Sequence, residues 1–254
     1  MALLELKDVS KAFGGLKAVD SVSFKIEEQQ IAALIGPNGA GKTTVFNMIT
    51  GAYKVSSGDI LFNGESICGC KPHVIVEKGI ARTFQNIRLF KKATVLENVM
   101  TGFHCNTKTG MLNIIYNPKM VKAEEQEVKE KSLEILRFLG LEQVKDQPAS
   151  SIPYGHQRIL EIGRALATSP KLLLLDEPAA GMNSAEKQEL IKTIYSIREN
   201  YKVSVLLVEH DMELVMGISE NVTVLNYGKR IANGTPSEVQ DNPAVIEAYL
   251  GRRE

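Results

Sequence analysis

The run Gly36-Pro37-Asn38-Gly39-Ala40-Gly41-Lys42-Thr43-Thr44 constrains this chain more than any other stretch. It satisfies the spacing G-x-x-x-x-G-K-[ST], in which a glycine-rich turn wraps its backbone amides around a phosphate. Both flanks agree. The apolar run Ile31–Ile35 predicts a buried strand entering the loop. Residues 44–50, with Val45, Phe46, Met48 and Ile49, predict a helix leaving it. Gly36, Gly39 and Gly41 let successive N–H groups point inward with no Cβ in the way. The helix N-terminus adds the positive end of its dipole. Lys42 then reaches the β- and γ-phosphates, and the Thr43 hydroxyl is placed to ligate Mg²⁺. Such a strand–loop–helix predicts a nucleoside triphosphate bound at the edge of an α/β sheet.

The rest of the chain decides what surrounds that sheet. Leu4, Leu6 and Val9 alternate with polar residues, as do Val22, Phe24 and Ile26, which predicts two strands joined at Phe13-Gly14-Gly15 as an antiparallel hairpin. Residues 59–62 predict a short strand, 72–78 a short helix, and 80–84 another strand ending at Gln85. Thr94 and Glu97 have capping-box spacing for a helix to Gly102. Residues 103–118 read as irregular. A charged helix over 119–139 carries the apolar stripe Val121, Val128, Ile135, Leu136 and Leu139. Further helices are expected over 156–167, from a Ser184 cap to Asn200, after Asp211 and over 243–250. Buried strands are expected over 171–175 and 203–208, and a closing hairpin around Tyr227-Gly228.

Buried strands alternating with helices predict an α/β P-loop core with a mostly parallel sheet and an N-terminal antiparallel β subdomain. The helical stretch 87–155 reads as an inserted α-helical subdomain. Residues 1–86 and 156–254 form the core, all within one domain of 254 residues.

Composition removes several partners. Lys+Arg and Asp+Glu both number 30, so no net charge draws the chain to nucleic acid or to an anionic membrane. No apolar run approaches the ~20 residues of a membrane span, and no signal-peptide pattern opens the chain. Cys68, Cys70 and Cys105 lack a zinc-ligand spacing and read as free thiols. These features predict a cytoplasmic chain that meets a membrane only through a partner.

Other residues suit phosphate chemistry. Leu172-Leu173-Leu174-Leu175-Asp176-Glu177 is an apolar strand delivering two acids at its C-terminal end, where α/β sheets bind ligands. Asp176 is placed to hold Mg²⁺ through water. Glu177, one residue on, suits a base that polarises an attacking water. A Gln85 amide can meet both the metal and that water. His210, after the apolar strand 203–208, can donate to a γ-phosphate. His73 and His104 read as surface residues. Ile152-Pro153-Tyr154-Gly155-His156-Gln157-Arg158 precedes a helix, and a glycine just before a helix start is a second anion site. Two anion sites but one nucleotide-binding loop suggest a head-to-tail dimer with the nucleotide sandwiched between subunits.

Together these residues resemble, over the whole chain, the ATP-binding subunit of an ABC transporter. Residues 36–43 look like Walker A and 172–176 like Walker B, with Glu177 as the family's catalytic glutamate. Gln85 matches the Q-loop glutamine, 179–183 the D-loop and His210 the switch histidine. Phe13 matches the aromatic that stacks on adenine; its alternative is a turn residue tucked on the core. The signature, usually Leu-Ser-Gly-Gly-Gln, reads Ile152-Pro153-Tyr154-Gly155-His156. Pro153 thus replaces the serine that contacts the γ-phosphate, and Asn183 replaces the usual D-loop aspartate.

A narrower resemblance comes from residues 13–19, 81–90, 94–99, 176–183 and the tail from Gly234 to Gly251. These look like the larger ATPase subunit of branched-chain amino acid importers, and importers of urea and short amides share much of the pattern. The resemblance implies ATP and Mg²⁺ (the latter held by Thr43, Gln85 and Asp176). It also implies two membrane permeases, a second ATPase subunit in a homo- or heterodimer, an extracytoplasmic solute-binding protein, and a place on the inner face of the cell membrane. Leu89, Phe90 and Val95 either contact a permease helix or pack inside the helical subdomain. Two rivals stay open: a soluble ABC ATPase outside transport, and a regulatory subunit that barely hydrolyses ATP.

Overall fold

The computed structural model describes residues 2–105 and 118–250. In chain order the described elements begin with strands β1 (Ala2–Phe13), β2 (Leu16–Glu27) and β3 (Ile31–Ile35), helix α1 (Lys42–Ile49), and strands β4 (Ser57–Phe62) and β5 (Glu65–Ser66). Helix α2 (Pro72–Glu77), strand β6 (Ile80–Arg82) and helices α3 (Val95–Gly102), α4 (Pro118–Phe138) and α5 (Tyr154–Leu166) follow. Strand β7 (Leu172–Asp176), helix α6 (Ser184–Tyr201), strand β8 (Ser204–Val208) and helix α7 (Met212–Ile218) come next. The hairpin β9 (Asn221–Asn226) and β10 (Lys229–Gly234) and helices α8 (Pro236–Gln240) and α9 (Pro243–Leu250) close the chain.

Contacts group residues up to Gln85 with those from Lys171 onward, and residues 86–170 separately. The first unit holds two sheets. The antiparallel one has the order β2-β1-β4-β5, and the six-stranded one the order β10-β9-β3-β8-β7-β6. Strands β9, β3, β8, β7 and β6 run parallel, and β10 pairs antiparallel with β9. Every residue of β3, β7 and β8 is buried, as expected of parallel strands covered on both faces. In β1 and β2 burial alternates, so Leu4, Leu6, Phe24 and Ile26 face one core. Helix α1 places Val45, Phe46, Met48 and Ile49 in the same cluster as residues from both sheets. The loop before it is thereby anchored to that core.

The second unit is helical. It buries Val95, Leu96 and Val99 of α3, Ile135 and Leu136 of α4, and Ile159, Leu160 and Ile162 of α5. The capping box of α3 is formed as expected: the Glu97 N–H donates to Thr94 Oγ1 over 3.1 Å, and the Thr94 N–H to Glu97 Oε2 over 2.7 Å. Helix α5 falls inside this unit, so the contact boundary lies after Pro170 rather than after residue 155.

Several expectations shift. Helix α6 is capped by Asn183, not Ser184; the Asn183 side chain takes the Glu186 N–H and the Glu186 carboxylate takes the Asn183 N–H. Gly155 lies within the first turn of α5 rather than before it, and Pro153 is the N-cap. Strand β6 stops at Arg82, two residues short of Phe84. Helix α8 was not expected, although Thr235 and Glu238 form a full capping box there. Of the irregular stretch 103–118, residues 106–117 lie outside the described residues, and Phe103–Cys105 is a 3-10 turn.

Candidate functional site

The phosphate loop is built as its glycines require. At Gly36, φ is +149°, and a Cβ there would stand 2.1 Å from the Leu225 carbonyl oxygen. At Gly41, the N-cap of α1, φ is +102° and a Cβ would meet the Ala18 carbonyl at 2.7 Å. No L side chain fits either place without moving backbone. Burial raises the Tyr249 pKa and the Gly36 backbone opposes that shift, so α9 lies beside the start of the loop. Pro37, Asn38, Gly39 and Ala40 form the turn between these glycines, with Asn38 and Gly39 exposed.

Lys42 is folded back onto its own loop. Its Nζ donates to the carbonyls of Gly36 at 2.6 Å and Pro37 at 3.0 Å. Burial lowers its pKa, and the carboxylates of Glu177 and Asp176 partly offset that shift. An ammonium held this way is poised to exchange carbonyl partners for phosphate oxygens. Thr43 and Thr44 follow at the first turn of α1, and Thr43 is exposed.

The parallel strands deliver the remaining groups. Asp176 ends β7 and is 5% exposed. Its Oδ2 accepts from Arg82 Nη2 at 2.7 Å, while Arg82 Nη1 donates to Asn47 Oδ1 at 2.7 Å. The guanidinium also stands 5.5 Å and 5.3 Å from the ring centroids of Phe46 and Phe84. Arg82 was not among the residues singled out from the sequence, because its partners lie 35 and 94 positions away.

Glu177 has left the strand. Its φ is +46°, a left-handed conformation rare for a residue with a Cβ, and its N–H donates to the Val208 carbonyl at 2.9 Å. Its Oε2 accepts from Gln85 Nε2 at 2.9 Å and lies 3.9 Å from His210 Nδ1. Gln85, Glu177 and His210 therefore converge, from residues following β6, β7 and β8. The imidazole is largely exposed, leaving it accessible from solvent.

Beneath His210 lies a carboxylate that sequence reading passed over. Glu209 is 1% exposed. Its Oε1 takes the Ala179 N–H at 2.8 Å, and its Oε2 takes the His210 N–H at 3.1 Å. Burial raises its pKa, and the backbone N–H groups of Ala179, His210 and Asp211 oppose that shift. One buried side chain thus ties the loop after Glu177 to the loop carrying His210.

Phe13 ends β1 with 43% exposure. It packs edge-on against Tyr53, centroids 5.3 Å apart, with Lys11 Nζ 4.9 Å from its own centroid. It is not tucked on the core. Tyr53 and Lys11 make the setting, and neither was singled out from the sequence.

In the second unit, Pro153, Tyr154, Gly155 and His156 make the start of α5. Pro153 provides no side-chain cap, and Gln157 Nε2 donates back to the Ile152 carbonyl at 2.9 Å. Tyr154 is 45% exposed and Gly155 is buried. Leu89 is half-buried, Phe90 exposed and Val95 buried, so of the three only Phe90 presents most of its surface to solvent.

Thr43, Asp176 and Gln85 carry hard oxygen donors of the kind Mg²⁺ takes. Among the described residues no cluster of His, Cys, Asp or Glu forms a metal site of its own. Among them, too, no helix is long and apolar enough to cross a membrane.

Comparison with known proteins adds to this geometry. Residues 19–180 match the family described as ABC transporter, and 229–254 match one described as branched-chain amino acid ATP-binding cassette transporter. The chain is 45% identical, over 98% of its length and 98% of the relative's, to the high-affinity branched-chain amino acid transport ATP-binding protein BraF of Pseudomonas aeruginosa. It is 43% identical, with the same coverage, to the corresponding protein LivG of Escherichia coli. A solved ATP-binding cassette of an ABC transporter in its ADP conformation superposes with a TM-score of 0.87 at 33% identity, covering 99% of this chain and all of that one. A nucleotide-free cassette gives 0.86 at 33% identity with the same coverage.

Proposed function

We propose that this chain, which belongs to the family of ABC transporter ATP-binding subunits, drives the import of branched-chain amino acids. It is an ABC-type ATPase; the solute, the partners and the residue roles are our reading. Relatives 43–45% identical along nearly the whole chain carry branched-chain amino acid transport in their names, and that observation supports the solute. The convergence of Gln85, Glu177 and His210 at neighbouring strand ends carries the chemistry.

In this reading Phe13 offers adenine a flat face and the backbone N–H groups of residues 38–44 wrap the phosphates. Lys42 releases its two carbonyls and neutralises the β- and γ-phosphates. Thr43, Asp176 and Gln85 would hold Mg²⁺, which when bound supplies positive charge to the phosphate oxygens. Glu177 orients water for in-line attack, held by the Gln85 amide until the water arrives. His210, its backbone fixed by Glu209, donates toward the departing γ-phosphate. Positioning and electrostatics carry most of the rate in phosphoryl transfer.

The start of α5 serves the ATP of a second subunit, homo- or heteromeric. Its first-turn amides would meet that phosphate, and Pro153 supplies no hydroxyl, which predicts a weaker anion contact. Two permeases receive the motion, a solute-binding protein outside selects the solute, and the chain sits on the inner face of the membrane.

Affinity purification from detergent-solubilised membranes tests the assignment. Two hydrophobic permeases should co-purify, and the reconstituted complex should take up leucine in preference to urea or acetamide. Preferential urea uptake would move the chain to the amide importers. Co-purification of ribosomes without permeases would contradict transport altogether.

A further inference from the structure

We infer that the buried pair Arg158–Glu161 links the segment after Gln85 to the signature residue Tyr154 and carries the coupling between them. The inference rests on the transport reading, in which the start of α5 meets ATP, and takes the exposed Phe90, not the buried Val95, as the permease contact.

Arg158 and Glu161 stand one turn apart on α5, so both project to one side of the helix. Their side chains are 0% and 1% exposed, and Arg158 Nη1 lies 3.3 Å from Glu161 Oε2. Taking two charges out of water is costly, and an apolar pair of similar volume often stabilises a fold at least as well. Packing alone therefore gives little reason for an ion pair here. What distinguishes it is where each partner reaches next.

Glu161 uses its other oxygen to accept the backbone N–H of Arg88 at 3.0 Å. Arg88 lies three residues after Gln85. Arg158 uses its other terminal nitrogen to meet the Tyr154 hydroxyl at 3.2 Å, with the guanidinium 5.8 Å from that ring's centroid. A continuous polar chain therefore runs from the Arg88 backbone through Glu161 and Arg158 to Tyr154. All of it lies within the helical unit.

A second grip holds the same segment. The Phe90 N–H donates to Asn98 Oδ1 at 2.9 Å, and Asn98 Nδ2 returns to the Phe90 carbonyl at 3.1 Å. Asn98 is wholly buried. The Phe90 side chain, in contrast, is 58% exposed. Residues 88–90 thus combine an exposed apolar handle with a backbone fastened to buried polar groups. In a poorly screened interior, a displacement of that backbone changes the energy of the ion pair it touches. Burial raises the Glu161 pKa, opposed by the Arg88 N–H, Arg158 and Arg164. The linked residues relay movement of residues 88–90 to Tyr154; they do not touch the reacting atoms.

The test compares the wild type with the double variant Arg158→Met/Glu161→Leu, each assembled with permeases, second ATPase and solute-binding protein in proteoliposomes. Basal ATP hydrolysis should stay within twofold, while stimulation by leucine-loaded binding protein should fall at least fivefold. Stimulation kept at the wild-type level overturns the inference. Basal and stimulated rates falling by the same factor overturns it too, since that marks a packing role. Should the double variant fail to fold, Glu161→Gln takes its place under the same criteria. A wild type that shows no stimulation instead removes the transport reading. The link is then judged by amide exchange in the isolated chain. Tyr154→Phe should speed exchange of the Arg88 amide at least threefold, and an unchanged Arg88 rate overturns the link.

Discussion

Arg82 and Asp176 show how much one side chain can decide at the end of a buried strand. Both are nearly enclosed, with side-chain exposures of 10% and 7%. Arg82→Ala would remove the ion-pair partner of the buried Asp176 carboxylate, at a cost of about 3–5 kcal/mol. Urea denaturation should report that loss. Glu209 makes a comparable prediction through its three backbone contacts. Glu209→Ala strips acceptors from the Ala179 and His210 amides and frees the His210 loop, so kcat should fall more than KM rises in steady-state ATPase assays. Neither residue was legible beforehand. Asp176, Glu177 and Lys42 could be read because motif spacing places them, whereas Arg82 and Glu209 act through contacts that only the folded sheet creates. Phe13 shows the intermediate case: its position was legible, but its partner Tyr53, 40 residues on, was not.

Among the elements, local signals were read correctly where one sequence pattern had one meaning. The alternation in β1 and β2, the apolar runs of β3, β7 and β8, and the Thr94–Glu97 box belong to this class. Helix α6 failed because Asn183 and Ser184 are adjacent and both suit a cap. The deciding signal was Glu186, three residues after Asn183, which completes a box that Ser184 with Lys187 does not. Asn183→Ala should therefore cost about 1 kcal/mol of stability and Ser184→Ala close to nothing, by thermal melting. Lys187 is used elsewhere, paired with Asp211 at the start of α7. That contact holds the Asp211 pKa below its ordinary value of 3.8. Its stabilisation is then present above the unfolded value and disappears as pH falls through the folded one. Lys187→Met should lower stability at pH 7 and leave it unchanged at a pH below the folded value. Urea midpoints measured at both pH values check this.

At the scale of the whole molecule, the chain brings one glycine-rich loop, the cluster of Gln85, Glu177 and His210, and the start of α5, divided between two units. The cluster and the loop share the unit built on the parallel sheet, while the helical unit carries residues 153–156. The sheet order β10-β9-β3-β8-β7-β6 sets β3, which feeds the loop, directly beside β8, which feeds His210, with β7 and Glu177 next. That adjacency brings residues some 135 to 175 positions apart in sequence to one edge. It was foreseeable as a class of fold but not as an order of strands, because strand order depends on crossovers that leave no local mark. The account's central claim is that this edge hydrolyses ATP with Glu177 as the water-orienting group. Steady-state hydrolysis by the reconstituted transporter carrying Glu177→Gln tests it most directly. The account predicts a rate lowered at least 100-fold with ATP affinity within threefold of wild type; hydrolysis left unchanged would contradict it.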